Sequence, residues 1–224
     1  MCQLIQDEKP HYLVDLGDAG EFESISRFLK GKPGLQEGKR LMKDIRSMQA
    51  VDDLLLQATP SNCKHIFHIG NHENRLKVFL EENPVVEGMI EEIHKPRRNV
   101  EVIPHGKFSH IGKLMFHHGD RKGYMSINHA KQMSQLGRSV MYGHHHSIQR
   151  YTHETLTKEG QPDRHGAFGI GCLCILDRDW NYNQRVLWQQ SIGFVYFQDN
   201  GDFNAYNIDI TNGRAIWDGR LYRG

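Results

Sequence analysis

Four apolar runs in this chain end in the same way, and that repetition constrains the fold more than any other feature. Tyr12-Leu13-Val14-Asp15-Leu16 runs into Gly17-Asp18, and His65-Ile66-Phe67-His68-Ile69 into Gly70-Asn71-His72-Glu73. Lys113-Leu114-Met115-Phe116-His117 runs into His118-Gly119-Asp120, and Ser139-Val140-Met141-Tyr142 into Gly143-His144-His145-His146. Short apolar runs bounded by glycine are strand signals, particularly for strands buried on both faces. Each run ends beside a residue that can bind metal or move a proton. In open α/β sheets the carboxyl ends of the strands are where sites assemble.

Helical patterns lie between these runs. From about Gln36 to Gln57, Leu41, Ile45 and Met48 and then Leu54 to Leu56 recur at amphipathic spacing before Pro60. Glu73 to Glu82 places Leu76, Phe79 and Leu80 on one face and stops at Pro84, and Ser126 to Leu136 is a third, less periodic candidate. Met1 to Pro10 reads as the end of a helix. Strand and helix in alternation predict a layered α/β fold. The last third changes character. Arg150 to Leu156 alternates, and Gly193 to Gln198, Phe203 to Ile210 and Arg214 to Trp217 read as short strands separated by Asn200-Gly201, Asn212-Gly213 and Asp218-Gly219. This predicts an antiparallel meander in a second sheet, within one domain spanning 1–224. Asp177 to Gln190, with Trp180, Tyr182 and Trp188, reads as a loop anchored by its aromatics.

Composition narrows the function classes. Hydrophobic content of 38% and charged content of 25% are ordinary for a globular protein. No apolar run reaches the roughly 18 residues of a membrane span, and no basic-then-apolar leader opens the chain. Cys2, Cys63, Cys172 and Cys174 are too scattered for a disulfide framework, so a reducing, cytoplasmic setting is expected. Cys172 and Cys174 share one side of any strand and could bind metal, but buried thiols are the preferred reading. A net charge of +1 gives no global attraction for nucleic acid, and the basic clusters Lys95, Arg97, Arg98 and Arg121, Lys122 are read as solvated surface. The unusual count is 15 histidines, the residue most used as a metal ligand.

Gly17-Asp18, Gly70-Asn71-His72-Glu73, His118-Gly119 and Gly143-His144-His145-His146, in that order after successive strands, resemble the signature of the calcineurin-like metallophosphoesterases. The resemblance covers about residues 11 to 148. The C-terminal meander and Ser24-Ile25-Ser26-Arg27 are similar to phage-encoded members, which would place the chain in a host cytoplasm. The resemblance implies an α/β/β/α sandwich and a two-metal site that hydrolyses phosphodiester or phosphomonoester bonds. Nuclease-like or nucleotide substrates are favoured, with no membrane partner.

It also implies roles. Asp18 would bridge two divalent ions. Asn71, His118 and His144 would bind the second ion, and His146 the first. The ions would polarise the phosphate and lower the pKa of a water for in-line attack. His72 would stay off the metal and serve the leaving oxygen as proton or hydrogen-bond donor. Glu73 and Glu21 would orient their neighbours, Glu21 standing where many members have aspartate. Arg75 would either touch the phosphate or cap the sheet edge. His117, in strand alternation with His118, is read as a core or second-layer histidine.

The family's opening Asp-x-His on the first strand does not occur before Gly17-Asp18. The expectation is therefore a first strand missing, one well-formed metal site, one weak one, and reduced activity. Mn²⁺ is the expected metal, with Zn²⁺, Fe²⁺ or Ni²⁺ as alternatives. The competing expectation is a single-metal pseudo-enzyme acting as a phosphate- or partner-binding module.

Overall fold

A computed structural model describes residues 1–86, 88, 100–119, 130–131, 138–160, 162–176 and 187–224. The basic clusters at 95–98 and 121–122, Asp120, Trp180 and Tyr182 lie outside the described residues, as does the 126–136 segment expected to be helical, apart from Ala130 and Lys131, which are helical. The fold is mixed α/β with several sheets. Within the expected span it comprises two compact units, Met1–Lys107 and Phe108–Gly224.

In the first unit, α1 (Cys2–Glu8) precedes β1 (Tyr12–Asp15). Short 3₁₀ turns at Glu23–Ile25 and Arg27–Leu29 lead to α2 (Pro33–Gln36) and the long α3 (Leu41–Ala58). Then come β2 (Lys64–His68), α4 (Asn74–Glu82) and β3 (Val100–Ile103). The three strands form a parallel sheet in the order β1-β2-β3, with Val14 opposite Ile66 and Phe67 opposite Val102. The core forms where α3 and α4 turn their apolar stripes inward: Phe22, Ile45, Met48 and Leu76 are buried together, with Leu41, Phe79 and Leu80 packed around them. Complete burial of a side chain such as Phe22 or Ile45 contributes about 1.5–3 kcal/mol.

In the second unit, β4 (Ser109–Ile111), β5 (Leu114–His117), β6 (Ser139–Tyr142), β7 (Gln149–Leu156) and β8 (Pro162–Gly169) form one five-stranded sheet ordered β4-β5-β6-β8-β7. β5, β6 and β8 run parallel, while β4 and β7 are antiparallel edges. Every residue of β5 and β6 is buried, as expected for unalternating apolar runs. Met115, Ala130, Val140, Tyr142 and Ala167 form their core. The Tyr142 hydroxyl donates to Gln149 Oε1 at 2.6 Å, and burial raises its pKa.

The C-terminal strands differ from the expected meander in their grouping. β7 belongs to the five-stranded sheet, paired along its length with β8. β9 (Gln190–Phe197) pairs with β10 (Phe203–Ile210), and β11 (Arg214–Trp217) with β12 (Arg220–Arg223), as two antiparallel hairpins. A bridge from Thr211 to Arg214 joins the hairpins, so the chain meanders through short pairings rather than one broad sheet. Asn212-Gly213 and Asp218-Gly219 have positive φ at both residues, the geometry that fits two-residue turns to strand twist. Trp217 sits among Phe194, Tyr196 and Tyr206, with ring centroids 4.8–6.4 Å away. No helix among the described residues is long and apolar enough to cross a membrane.

Candidate metal centre

The residues singled out from the sequence fall into two groups, one at the strand ends of each unit. In the first unit two turns interlock after β1 and β2. The Asp15 side chain accepts the Gly17 amide at 2.8 Å and so shapes the first turn. Asp18 Oδ1 accepts the His72 amide at 2.9 Å. Glu73 answers in the opposite direction: Oε2 accepts the Asp18 and Gly70 amides at 2.9 Å each, and Oε1 accepts the Gly20 amide at 3.0 Å. Gly17 and Gly70 permit this close approach. Gly17 has φ +91°, and a Cβ there would lie 2.6 Å from both the Gly70 nitrogen and the His68 oxygen.

Glu73 therefore orients the backbone that carries Asp18. It is buried, and this burial, together with the charge of Asp18, pushes its pKa up to about 7 against the pull of the Gly20 and Asp18 amides. Asn71 and His72 sit half-buried in the turn between β2 and α4. Arg75 enters α4 and donates from Nη1 to the Glu21 carbonyl at 2.9 Å. Burial lowers its pKa, while Asp18, Glu21, Glu23 and Glu73 act in the opposite sense. It thus holds the Glu21 segment against the helix, so the link to Glu21 runs through the backbone.

In the second unit, His118 follows β5 and His144 follows β6, and the Gly143 amide donates to the His118 carbonyl at 3.0 Å. His144 Nδ1 lies 3.2 Å from His118 Nε2, with the rings edge to face at 5.1 Å. Two imidazole nitrogens each about 2.0–2.1 Å from one ion, at tetrahedral or octahedral angles, stand about 2.8–3.4 Å apart. The spacing, now a hydrogen-bond contact between the two rings, is compatible with a shared divalent ion. His117 turns away to stack on Phe108 at 4.3 Å, and its Nδ1 accepts the Gly119 amide.

Backbone conformation marks the same residues. Among the described residues seven non-glycine positions have positive φ, and three are candidate ligands: Asp18 (+60°), His144 (+70°) and His146 (+55°). Left-handed backbone costs an L-residue roughly 1–2 kcal/mol, and such strain gathers at functional sites.

His146 does not share the His118–His144 contact among the described interactions. It lies beside Cys172 and Cys174, one ligand atom from each being within 4.8 Å of the others. Its ring packs edge-on against Trp188 at 4.4 Å. The two cysteines are half-buried rather than fully buried, and none of the four cysteines forms a disulfide. The Cys-x-Cys spacing was visible in the sequence, but the histidine that joins it was not.

No family model, curated protein or solved structure matches the chain. The chemistry of the site therefore rests on its own geometry. A cleft in the second unit, about 700 Å³, is lined by Lys113, Arg138, Arg150, Phe168 and Phe203. Lys113 and Arg138 precede β5 and β6, whereas His118 and His144 follow them. The cleft thus opens at the other end of the sheet from the histidine pair.

Proposed function

We propose that this chain is a metal-dependent phosphoesterase of the calcineurin-like type, hydrolysing phosphodiester or phosphomonoester bonds, with nucleic acid or nucleotides as the favoured substrate class. The α/β/β/α sandwich is the fold that goes with this reading. The observation that supports it is the 3.2 Å separation of the His118 and His144 nitrogens after two parallel strands, a spacing that suits a pair of metal ligands. In this reading Asp18, Asn71, His118 and His144 are metal ligands, and Mn²⁺ or Fe²⁺ suits that mixed oxygen and nitrogen set. A divalent ion held there supplies Lewis-acid polarisation of the phosphoester and acidifies a water.

The chain's own groups do the rest. Asp18 is fixed by the His72 amide on one oxygen and by Glu73 through its backbone, so its position needs little reorganisation. His72 supplies a proton or hydrogen bond to the leaving oxygen as it gains charge. Arg75 holds the Glu21 segment and contributes positive charge beside the acidic turn.

The test is hydrolysis of an aryl phosphodiester with Mn²⁺, comparing the wild type with His72→Ala. Mn²⁺-dependent turnover that falls by about 10²–10⁴ in the variant supports the enzyme. Mn²⁺ binding with no turnover in excess metal supports the binding module instead.

A further inference from the structure

We propose that His146, Cys172 and Cys174 form a separate thiolate metal site in the second unit, selective for Zn²⁺ over the harder ions expected at Asp18 and His118. The Cys172 and Cys174 sulfurs are 3.3 Å apart, and all three ligand atoms fall within 4.8 Å of one another. Two thiolates on one zinc, each about 2.3 Å from it, stand about 3.8 Å apart, so small side-chain rotations close the site. Two sulfurs and one imidazole make a soft donor set, which favours Zn²⁺ over Mn²⁺.

The cluster has a scaffold. The Gln189 amide donates to the His146 carbonyl at 2.7 Å, and the Gln189 carbonyl accepts the Cys172 amide at 2.8 Å. The Gln189 side chain accepts the Ile148 amide at 2.9 Å, and Gln190 Nε2 donates to the Cys174 carbonyl at 2.8 Å. One short segment thus ties the histidine turn to the cysteine segment. One feature of His146 is what a bound ligand would relieve: its Nδ1 is buried with no hydrogen-bond partner among the described residues. A buried polar atom left unsatisfied is unfavourable unless something binds it or its ring.

The proposal gives His146 a different neighbourhood from the one the two-metal resemblance implies. With Cys172 and Cys174 beside it, an ion held by His146 has three protein ligands and one open position for water or an external group. The site stands on the second unit alone and does not need the phosphoesterase reading. A chain with no phosphoester turnover but with thiolate-bound metal would keep this inference and lose the other.

Cobalt(II) reports the site directly. Reduced wild-type protein titrated with Co²⁺ is expected to develop thiolate-to-cobalt absorption in the near ultraviolet. The absorption should fall in Cys172→Ser and in Cys174→Ser, vanish in the double variant, and persist in His118→Ala. The wild type alone gives a second reading: Zn²⁺ should slow alkylation of Cys172 and Cys174 by about tenfold or more while leaving Cys2 unchanged. No thiolate absorption in the reduced wild type, absorption that survives in the double variant, or no protection by Zn²⁺ would overturn the proposal.

Discussion

His144 Nδ1 and His118 Nε2 lie 3.2 Å apart although their residues close different strands. The register of β5 against β6 sets this spacing: His117 pairs with Tyr142, and the next residues of both strands turn out of the sheet together. Replacing either imidazole by alanine removes half of the pair. His118→Ala and His144→Ala should each weaken Mn²⁺ binding by more than the roughly 10–100-fold that loss of a supporting hydrogen bond costs a metal site. Equilibrium dialysis or calorimetry checks this, and unchanged affinity in either variant would exclude the pair as ligands.

Glu73 accepts three backbone amides with two oxygens. A glutamine keeps the shape but turns one acceptor into a donor facing an amide. Glu73→Gln should therefore cost about 1–3 kcal/mol of stability, read as a lower urea midpoint with an unchanged slope. A midpoint equal to the wild type would mean that the carboxylate does not organise the two turns.

Gly17 combines φ +91° with backbone atoms 2.6 Å from any Cβ. Gly17→Ala meets both penalties at once, left-handed strain and overpacking, together about 2–5 kcal/mol. Thermal unfolding measures it. An alanine variant as stable as the wild type would contradict the interlocked turns.

His65 lies in β2 with Nε2 3.0 Å from Thr59 Oγ1, and burial holds its pKa below the ordinary value. Because the folded-state pKa is depressed, protonation favours the unfolded chain as pH falls. The contribution is full above the unfolded pKa of about 6.5 and is lost below it. Relative to His65→Gln, the wild type should lose stability between about pH 7 and pH 5. A difference independent of pH in paired thermal melts would contradict this.

Much of this was legible in the sequence, for physical reasons that also mark the limits. β1, β2, β5 and β6 were visible because unbroken apolar runs ending in glycine leave few other conformations. β8 was not, because Pro162, Asp163, Arg164 and His165 open it and its pairing with β6 and β7 comes from tertiary context. β12 carries a single buried residue, Tyr222, and only the Asp218-Gly219 turn before it announced a hairpin. In the site, the ligand types and their places after strands could be read. That Glu73 grips amides rather than a histidine, and that Gln189 draws Cys172 toward His146, depends on hydrogen bonds between distant segments. Periodicity carries no record of such bonds.

The central proposal is that Asp18 and His118 each serve metal-dependent hydrolysis as ligands. The Mn²⁺ dependence of aryl phosphodiester hydrolysis, measured for the wild type, Asp18→Asn and His118→Ala, tests it most directly. The account predicts saturable Mn²⁺-dependent turnover in the wild type. In both variants the half-saturating Mn²⁺ concentration should rise by about tenfold or more, with a lower maximal rate. Turnover that survives chelation, or that either variant leaves unchanged, would contradict it.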